Sequence, residues 1–106
     1  MSDSGVKTES GPAKMVADPK QVAREQIPHD APKPNTVWRH YKGGLYTVHG
    51  TGLNEDTLEP MVAYTSAKHG TLWFRTLTNW REQVQIQGAV YAVPRFVQMV
   101  DVAEVA

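Results

Sequence analysis

Residues 36–50 read TVWRHYKGGLYTVHG, and this stretch decides the fold. Its two arms are rich in β-branched and aromatic side chains, which favour strands. The pair Gly43-Gly44 between the arms is typical of a tight chain reversal. The stretch therefore predicts a β-hairpin with strands at 36–41 and 45–50.

Further short strands follow, and turn-forming residues separate them. A loop at 51–59 contains Gly, Asn and Asp, and Thr78 can cap one short helical turn that includes Trp80. Pro94 marks a bend or a bulge. The remaining strands are predicted at 61–66, 72–76 and 84–86, with a last strand whose two parts, 90–93 and 95–100, flank Pro94.

Five or six short strands with one short helical turn predict an all-β domain. Its expected architecture is a small SH3-like barrel. Barrel closure is expected because an open sheet of this size exposes its edges and cannot cover both faces.

The residues ahead of the hairpin have a different composition. All nine aromatic residues lie between Trp38 and Phe96, whereas five of the seven prolines precede Trp38. A segment with so few apolar side chains cannot offset the entropy of ordering. The chain is therefore predicted to comprise a disordered Pro-containing tail at 1–35, a small β-barrel domain at 36–100 and a short C-terminal tail at 101–106.

One segment of this tail has a helical signal. Asp18 can cap a helix that begins at Pro19 and ends before Pro28. So short a helix is not stable alone in water. Two interpretations stay open, a linker and a helix that binds a partner through Val22 and Ile27.

Charge and residue types limit the functions to be considered. Eleven basic and eleven acidic residues cancel, so nucleic acid binding is possible but not favoured. The absence of cysteine removes thiol nucleophiles and thiolate metal sites, and the four histidines lack metal-ligand spacing. We expect a cytoplasmic protein without a membrane span, metal, cofactor or catalytic constellation.

The segment 38–46 holds the highest density of functional groups. Arg39, His40 and Lys42 flank aromatic rings, and the N–H groups of the Gly43-Gly44 turn can receive an anion. The alternative is an ordinary hairpin with solvated cations.

The segment 72–75 is the second candidate. Strand alternation places Trp73 and Arg75 on one face and Leu72 and Phe74 on the other. An exposed Trp beside an Arg can stack on a base or a peptide. In the alternative, Trp73 closes the barrel mouth and Arg75 pairs with a loop carboxylate.

Glu59 is the acidic residue of most interest. It precedes Pro60 at a strand entrance, where it can be partly buried and form a salt bridge with Arg39 or Arg75.

The blocks 38–46, 57–60, 72–75 and 93–96 together resemble a small bacterial and phage family, domain of unknown function 1653. Val62, Tyr64 and Gly88 also carry the resemblance, which covers about 37–99. It implies a compact β domain and no established activity. Thr76 and Gln87 depart from the family pattern, but both lie at turns.

Three functional hypotheses follow. The first is a non-catalytic module that binds a small anionic or aromatic ligand, a nucleic-acid end or a peptide. The second is a small enzyme with His40 as general base and Glu59 orienting it. The third is a structural adaptor that acts through its tail. The candidate ligand-binding residues are Arg39, His40, Tyr41, Lys42, Gly43, Gly44, Glu59, Tyr64, Trp73 and Arg75.

Overall fold

The computed structural model describes residues 18–100, which form seven strands and two short helices. The helices are α1 (Pro19–Glu25) and α2 (Leu77–Trp80). The strands are β1 (Thr36–His40), β2 (Leu45–Leu53), β3 (Pro60–Ser66), β4 (Leu72–Thr76), β5 (Gln83–Gln85), β6 (Ala92–Pro94) and β7 (Phe96–Gln98).

The strands form antiparallel sheets, so the expectation of a mostly β domain is confirmed. Five strands pair in the order β4-β3-β2-β1-β7, and β5 pairs with β6 in a separate two-stranded sheet. The larger sheet is open, because its edge strands β4 and β7 do not pair with each other. The prediction of a closed barrel was therefore wrong.

The reason is that elements outside the sheet cover its inner face. Leu77 and Trp80 of α2 pack there against the fully buried Val48 and Val62. Trp80 stacks on Phe96 of β7, with ring centroids 3.8 Å apart and planes inclined by 7°. An apolar face that a helix already shields from water does not need a closed barrel.

Helix α2 begins two residues earlier than the sequence suggested. The cap is Thr76, not Thr78, and its Oγ1 accepts a hydrogen bond of 3.0 Å from the Asn79 N–H. This start turns both Leu77 and Trp80 into the core.

Strand β2 is longer than predicted, because residues that resemble a turn continue it. The register shifts between Val48 and Gly50, which is a β-bulge, and pairing with β3 then continues to Leu53 opposite Pro60. Gly50 has φ 153°, a conformation that side-chain-bearing residues rarely adopt.

The ordered region also starts earlier than predicted. Asp18 accepts the Lys20 N–H at 3.0 Å and caps α1, as its sequence indicates. Ala31 is only 3% exposed within the core, and Ile27 packs against that core. The Thr51 hydroxyl donates to the carbonyl of Pro32 at 2.9 Å.

Residues 18–35 are therefore attached to the domain and are not a disordered tail. Arg81 adds an ion pair with Asp30, at 2.6 Å. The first 17 residues of the predicted N-terminal tail and the C-terminal tail predicted at 101–106 lie outside the described residues. Within 18–100, neither helix is long and apolar enough to cross a membrane.

Candidate functional site

The side chains of β4 alternate between the two faces of the sheet, as the sequence predicts. Trp73 lies opposite Tyr64 and Arg75 lies opposite Val62, so both share the inner face with buried residues of β3. Phe74 lies on the outer face and is 63% exposed. Trp73 is itself 50% exposed, because its strand forms the edge of the sheet.

A small concave site, the arginine pocket, lies on the inner face beside this edge. Its volume is about 280 Å³. It combines aromatic walls with one guanidinium group and two small polar side chains. Its lining residues are Tyr46, Tyr64, Ser66, His69, Trp73 and Arg75.

Arg75 is held in the arginine pocket by neutral partners. Its Nε donates to the Tyr64 hydroxyl at 3.0 Å, and its Nη1 donates to Asn79 Oδ1. Its guanidinium carbon lies 5.5 Å from the ring centroid of Phe96. Both hydrogen bonds fix the orientation of the cation without neutralising it.

No carboxylate lies within ion-pair distance of Arg75 in the described part of the chain. The ion pairs there join Lys20 to Glu55, Arg81 to Asp30 and Arg95 to Glu82. The alternative in which Arg75 pairs with a loop acid is therefore wrong.

Asn79, which the sequence did not single out, links Arg75 to a second cation. Its Nδ2 donates to Glu82 Oε1 at 3.3 Å, and the same oxygen accepts from Arg95 Nη2 at 2.8 Å. Arg95 Nε also donates to the Asn79 carbonyl at 3.1 Å. Glu82 thus neutralises Arg95 and not Arg75.

His40 lies next to this cluster on the inner face. Its ring centroid is 6.3 Å from that of Tyr46 and 5.1 Å from that of Phe96. Its Nδ1 accepts the Lys42 N–H at 3.2 Å, so the neutral ring carries its proton on Nε2.

The electrostatic environment of His40 is positive. Burial lowers the pKa of His40 below its usual 6.5, and the charges of Arg75, Arg95 and Lys42 lower it further. The three cations make the local potential positive, which attracts an anion, whereas burial by itself disfavours charge of either sign.

The residues that were predicted to form one binding face lie at separate sites in the structure. Arg39, Tyr41 and Gly43 line a second groove of about 410 Å³, together with His40 and apolar residues of the β5–β6 hairpin and β7. Strand β1 is three strand spacings from β4, about 14 Å. None of the predicted β1 and turn residues lines the arginine pocket, although the His40 ring lies 6.3 Å from that of its lining residue Tyr46.

The glycine turn itself occupies one of the two N–H groups that the sequence suggested for an anion. The Gly43 N–H donates to the His40 carbonyl at 2.7 Å and closes the turn, which requires the positive φ of 105° at Gly43. Lys42 is exposed, with its Nζ 5.8 Å from the Tyr41 ring centroid. Gly44 faces Tyr46 and lines a separate shallow groove with it.

Glu59 lies far from Arg39, one of the two cations that it was predicted to meet. The next residue, Pro60, pairs with Leu53, whereas Arg39 pairs with Leu45. Eight residues of strand separate these positions, about 25 Å. Glu59 is exposed and forms none of the ion pairs within 18–100, so the predicted salt bridges to Arg39 or Arg75 are wrong.

The sequence missed Tyr46, Ser66 and His69 as pocket residues. Tyr46 had a usable signal, because it is on the same strand face as Val48. Ser66 and His69 had none, because the hairpin between β3 and β4 brings them to the pocket. No group of three or more His, Asp or Glu side chains in the described chain is arranged to hold a metal.

The chain has recognisable similarity to one protein family. A family model described as "Protein of unknown function (DUF1653)" matches residues 36–98. The chain belongs to the DUF1653 family. The resemblance inferred from the sequence is thus confirmed, and every lining residue of the arginine pocket lies inside the matched range.

A solved relative supports the assignment to DUF1653. The chain is 34% identical to a DUF1653 protein from Bordetella bronchiseptica, whose crystal structure superposes with a TM-score of 0.54. The match covers 67% of this chain and 88% of the other. The search of curated proteins returned no match. Helix α1 and Ala31 lie outside the family match, although they are attached to the domain.

Proposed function

We propose that this DUF1653 protein is a non-catalytic binding module whose arginine pocket holds a small ligand with an anionic group and an aromatic ring. The main support is Arg75, a fixed cation without a carboxylate partner in the described chain. A nucleic-acid end and an anionic peptide side chain have the same chemistry and are alternative sources of it.

The free part of the guanidinium suits this role. Nε and Nη1 are occupied by Tyr64 and Asn79, whereas Nη2 takes part in no hydrogen bond within residues 18–100. A pre-oriented guanidinium loses little side-chain entropy when an anion binds. The charges of Arg75, Arg95 and Lys42 add to the effect of burial in lowering the pKa of His40, so the potential beside the pocket is positive.

The aromatic walls provide the second half of the recognition. Trp73 is 50% exposed at the pocket edge, and Tyr46 and Tyr64 meet edge to face with centroids 5.4 Å apart. An exposed indole beside a cation can stack on a planar ring. The volume of about 280 Å³ lies just below the usual range for ligand pockets, which favours a small ligand with one ring system and an anionic group.

The geometry does not favour the enzyme hypothesis. A general base needs its orienting partner within hydrogen-bond reach. His40 and Glu59 lie at opposite ends of the sheet, because β1 pairs with the Leu45 end of β2 and Glu59 precedes the residue that pairs with Leu53.

The test is a nitrogen–proton NMR titration of the full chain with adenosine monophosphate, adenosine and inorganic phosphate as separate probes. We expect the monophosphate to shift the amides of 64–66 and 73–75 and to bind more tightly than either fragment. Short single-stranded DNA and proline-rich peptides form further arms, which distinguish a nucleic-acid end or a peptide from a free nucleotide.

Arg75→Gln and Arg39→Gln form a matched pair for this titration. Arg39 lies on the outer face of the sheet, away from the pocket. R75Q should weaken binding of the monophosphate about tenfold or more, since hydrogen bonds to charged groups are the strong ones. R39Q should bind like the wild type. Equal affinities for R75Q and wild type, or an absence of binding by every probe, would refute the proposal.

A further inference from the structure

Among residues 18–100, strand β4 forms an edge of the larger sheet with which no further strand pairs. Leu72, Trp73 and Phe74 are consecutive on it and are 50%, 50% and 63% exposed. Natural edge strands are usually short, charged or covered, because unpaired backbone groups recruit other strands. The opposite edge, β7, is only three residues long.

The backbone groups that face this edge follow from the hydrogen-bond alternation. The Ala67 N–H, just after β3, donates to the Leu45 carbonyl, so every second residue back along β3 from Ala67 directs its backbone N–H and C=O groups to β2. Tyr64 and Val62 belong to the other set of alternate residues, so their backbone groups bond to their β4 partners, Trp73 and Arg75. The N–H and C=O groups of Phe74 and Leu72 therefore point away from the sheet.

We propose that two copies of this chain pair their β4 strands antiparallel about a two-fold axis at Phe74, which joins the two sheets into one of ten strands. The strand is self-complementary in this register. Phe74 lies opposite Phe74 of the second copy, and Trp73 lies opposite Arg75 of the second copy. Aromatic pairs and aromatic–cation pairs across strands are both stabilising. This match across a two-fold axis identifies a second copy as the occupant.

The outer face of the sheet supports the same occupant. Phe74 forms one side of a groove of about 640 Å³, whose floor includes Met61 and Ala63. The Phe74 ring of the second copy would extend the apolar part of this groove, formed by Met61, Ala63 and Phe74, across the axis; Asn54, Glu55 and Asp56 line its polar part. The formal net charge of zero leaves no overall repulsion between two copies.

The two arginine pockets would then lie side by side across the axis, because Trp73 and Arg75 line both the pocket and the edge. The pairing uses main-chain groups, Phe74 and the Trp73–Arg75 contact, and none of these requires the ligand proposed for the pocket. Its test needs no ligand.

The absence of cysteine makes a register-specific test possible. With Phe74 on the axis, the two Cα atoms at this position lie about 5.5 Å apart, inside the range that a disulfide spans. The two copies of position 72 lie about 13 Å apart along the strands. Full-length F74C should therefore form a covalent dimer under mild oxidation, whereas L72C and V97C should not.

Sedimentation of the unmodified chain gives the second measurement. We expect a concentration-dependent dimer for wild type and for Val97→Lys, which alters a residue of the same outer face on the opposite edge. Phe74→Lys places two like charges opposite each other and should raise the dimer dissociation constant about tenfold or more. Circular dichroism checks that F74K is folded.

Three results would overturn the inference. These are a wild-type chain that stays monomeric at every concentration, F74C that crosslinks no faster than V97C, and F74K that dimerises like wild type while folded. None of them bears on the affinity of the arginine pocket, so the two proposals fail separately.

Discussion

Arg75 and Tyr64 are joined across strands β4 and β3 by a hydrogen bond of 3.0 Å from the guanidinium Nε to the phenol oxygen. The Tyr64 ring is buried, with its centroid 5.0 Å from that of Trp80 in the core. One side chain thus packs in the core with its ring and orients the pocket cation with its hydroxyl. Substitutions at Tyr64 can separate these two roles.

Tyr64→Phe keeps the ring packing and removes the hydrogen bond to Arg75. We expect a loss of about 0.5–1.5 kcal/mol in the free energy of unfolding, measured by urea denaturation. The affinity for adenosine monophosphate should fall as well, because Arg75 loses one of the groups that orient it. Tyr91→Phe is the matched control, since Tyr91 is 62% exposed, and it should change neither quantity. A Y64F protein with unchanged affinity would show that the hydroxyl does not position Arg75.

The local parts of this fold could be predicted from the sequence. Strands β3 and β4 lie within a residue of their expected bounds, because period-two alternation and flanking turn residues mark them. The cap at Asp18 was predictable for the same reason, since a side chain that accepts an N–H two residues on is a local interaction.

The contacts between elements that are distant in the sequence could not be predicted. Ala31 has no strong pattern of its own, and it is buried only because the segment after α1 lies against the sheet. The open sheet depends on α2 covering the inner face, a packing choice that strand patterns do not encode. Gly50 looks like a turn residue, but it serves as a bulge inside β2.

The candidate site was predicted in part. Alternation along β4 gave Trp73 and Arg75 a common face, but it could not show that two strands separate them from Arg39 and Tyr41. The error with Glu59 has the same origin, because the pairing of β2 with its neighbours decides which loops meet.

Substitutions at Trp80 test how much this side chain contributes to the stability of the core. It is 2% exposed, and within the described chain its Nε1 has no hydrogen-bond partner. Trp80→Ala should cost about 3–5 kcal/mol of unfolding free energy. Trp80→Phe should cost less than half of that, because it removes an unpaired buried donor whose burial costs about 1–3 kcal/mol.

Trp73→Ala is the matched control for this pair of variants. Trp73 is half exposed at the sheet edge, so its loss should destabilise the protein much less than W80A does. Equal destabilisation by W80F and W80A, measured by urea denaturation, would contradict the view that the unpaired indole N–H carries a penalty.

The segment ahead of β1 provides a third test. Deletion of residues 1–35 removes Ala31 from the core, the contact of Ile27 and the hydrogen bond from Thr51 to the Pro32 carbonyl. We expect it to lower the free energy of unfolding by about 2 kcal/mol or more relative to deletion of residues 1–17. Thermal and urea denaturation measure the difference. Equal stability of the two truncations would mean that residues 18–35 contribute nothing to the domain.

His40 links stability to pH, and the sign follows from its environment. Burial and the charges of Arg75, Arg95 and Lys42 lower the pKa of His40 in the folded protein below 6.5. Between that lowered pKa and 6.5 the unfolded chain binds more protons than the folded one. The contribution of His40 to stability is therefore fully present above about pH 6.5 and is lost as the pH falls through the folded pKa.

His40→Asn removes the titration but keeps an oxygen that can accept the Lys42 N–H in place of Nδ1. Urea denaturation between about pH 7.5 and pH 5 should therefore show a smaller loss of stability for H40N than for wild type. An equal loss for both proteins would mean that the cations around His40 do not act on its ring, which would also remove one support for an anion site.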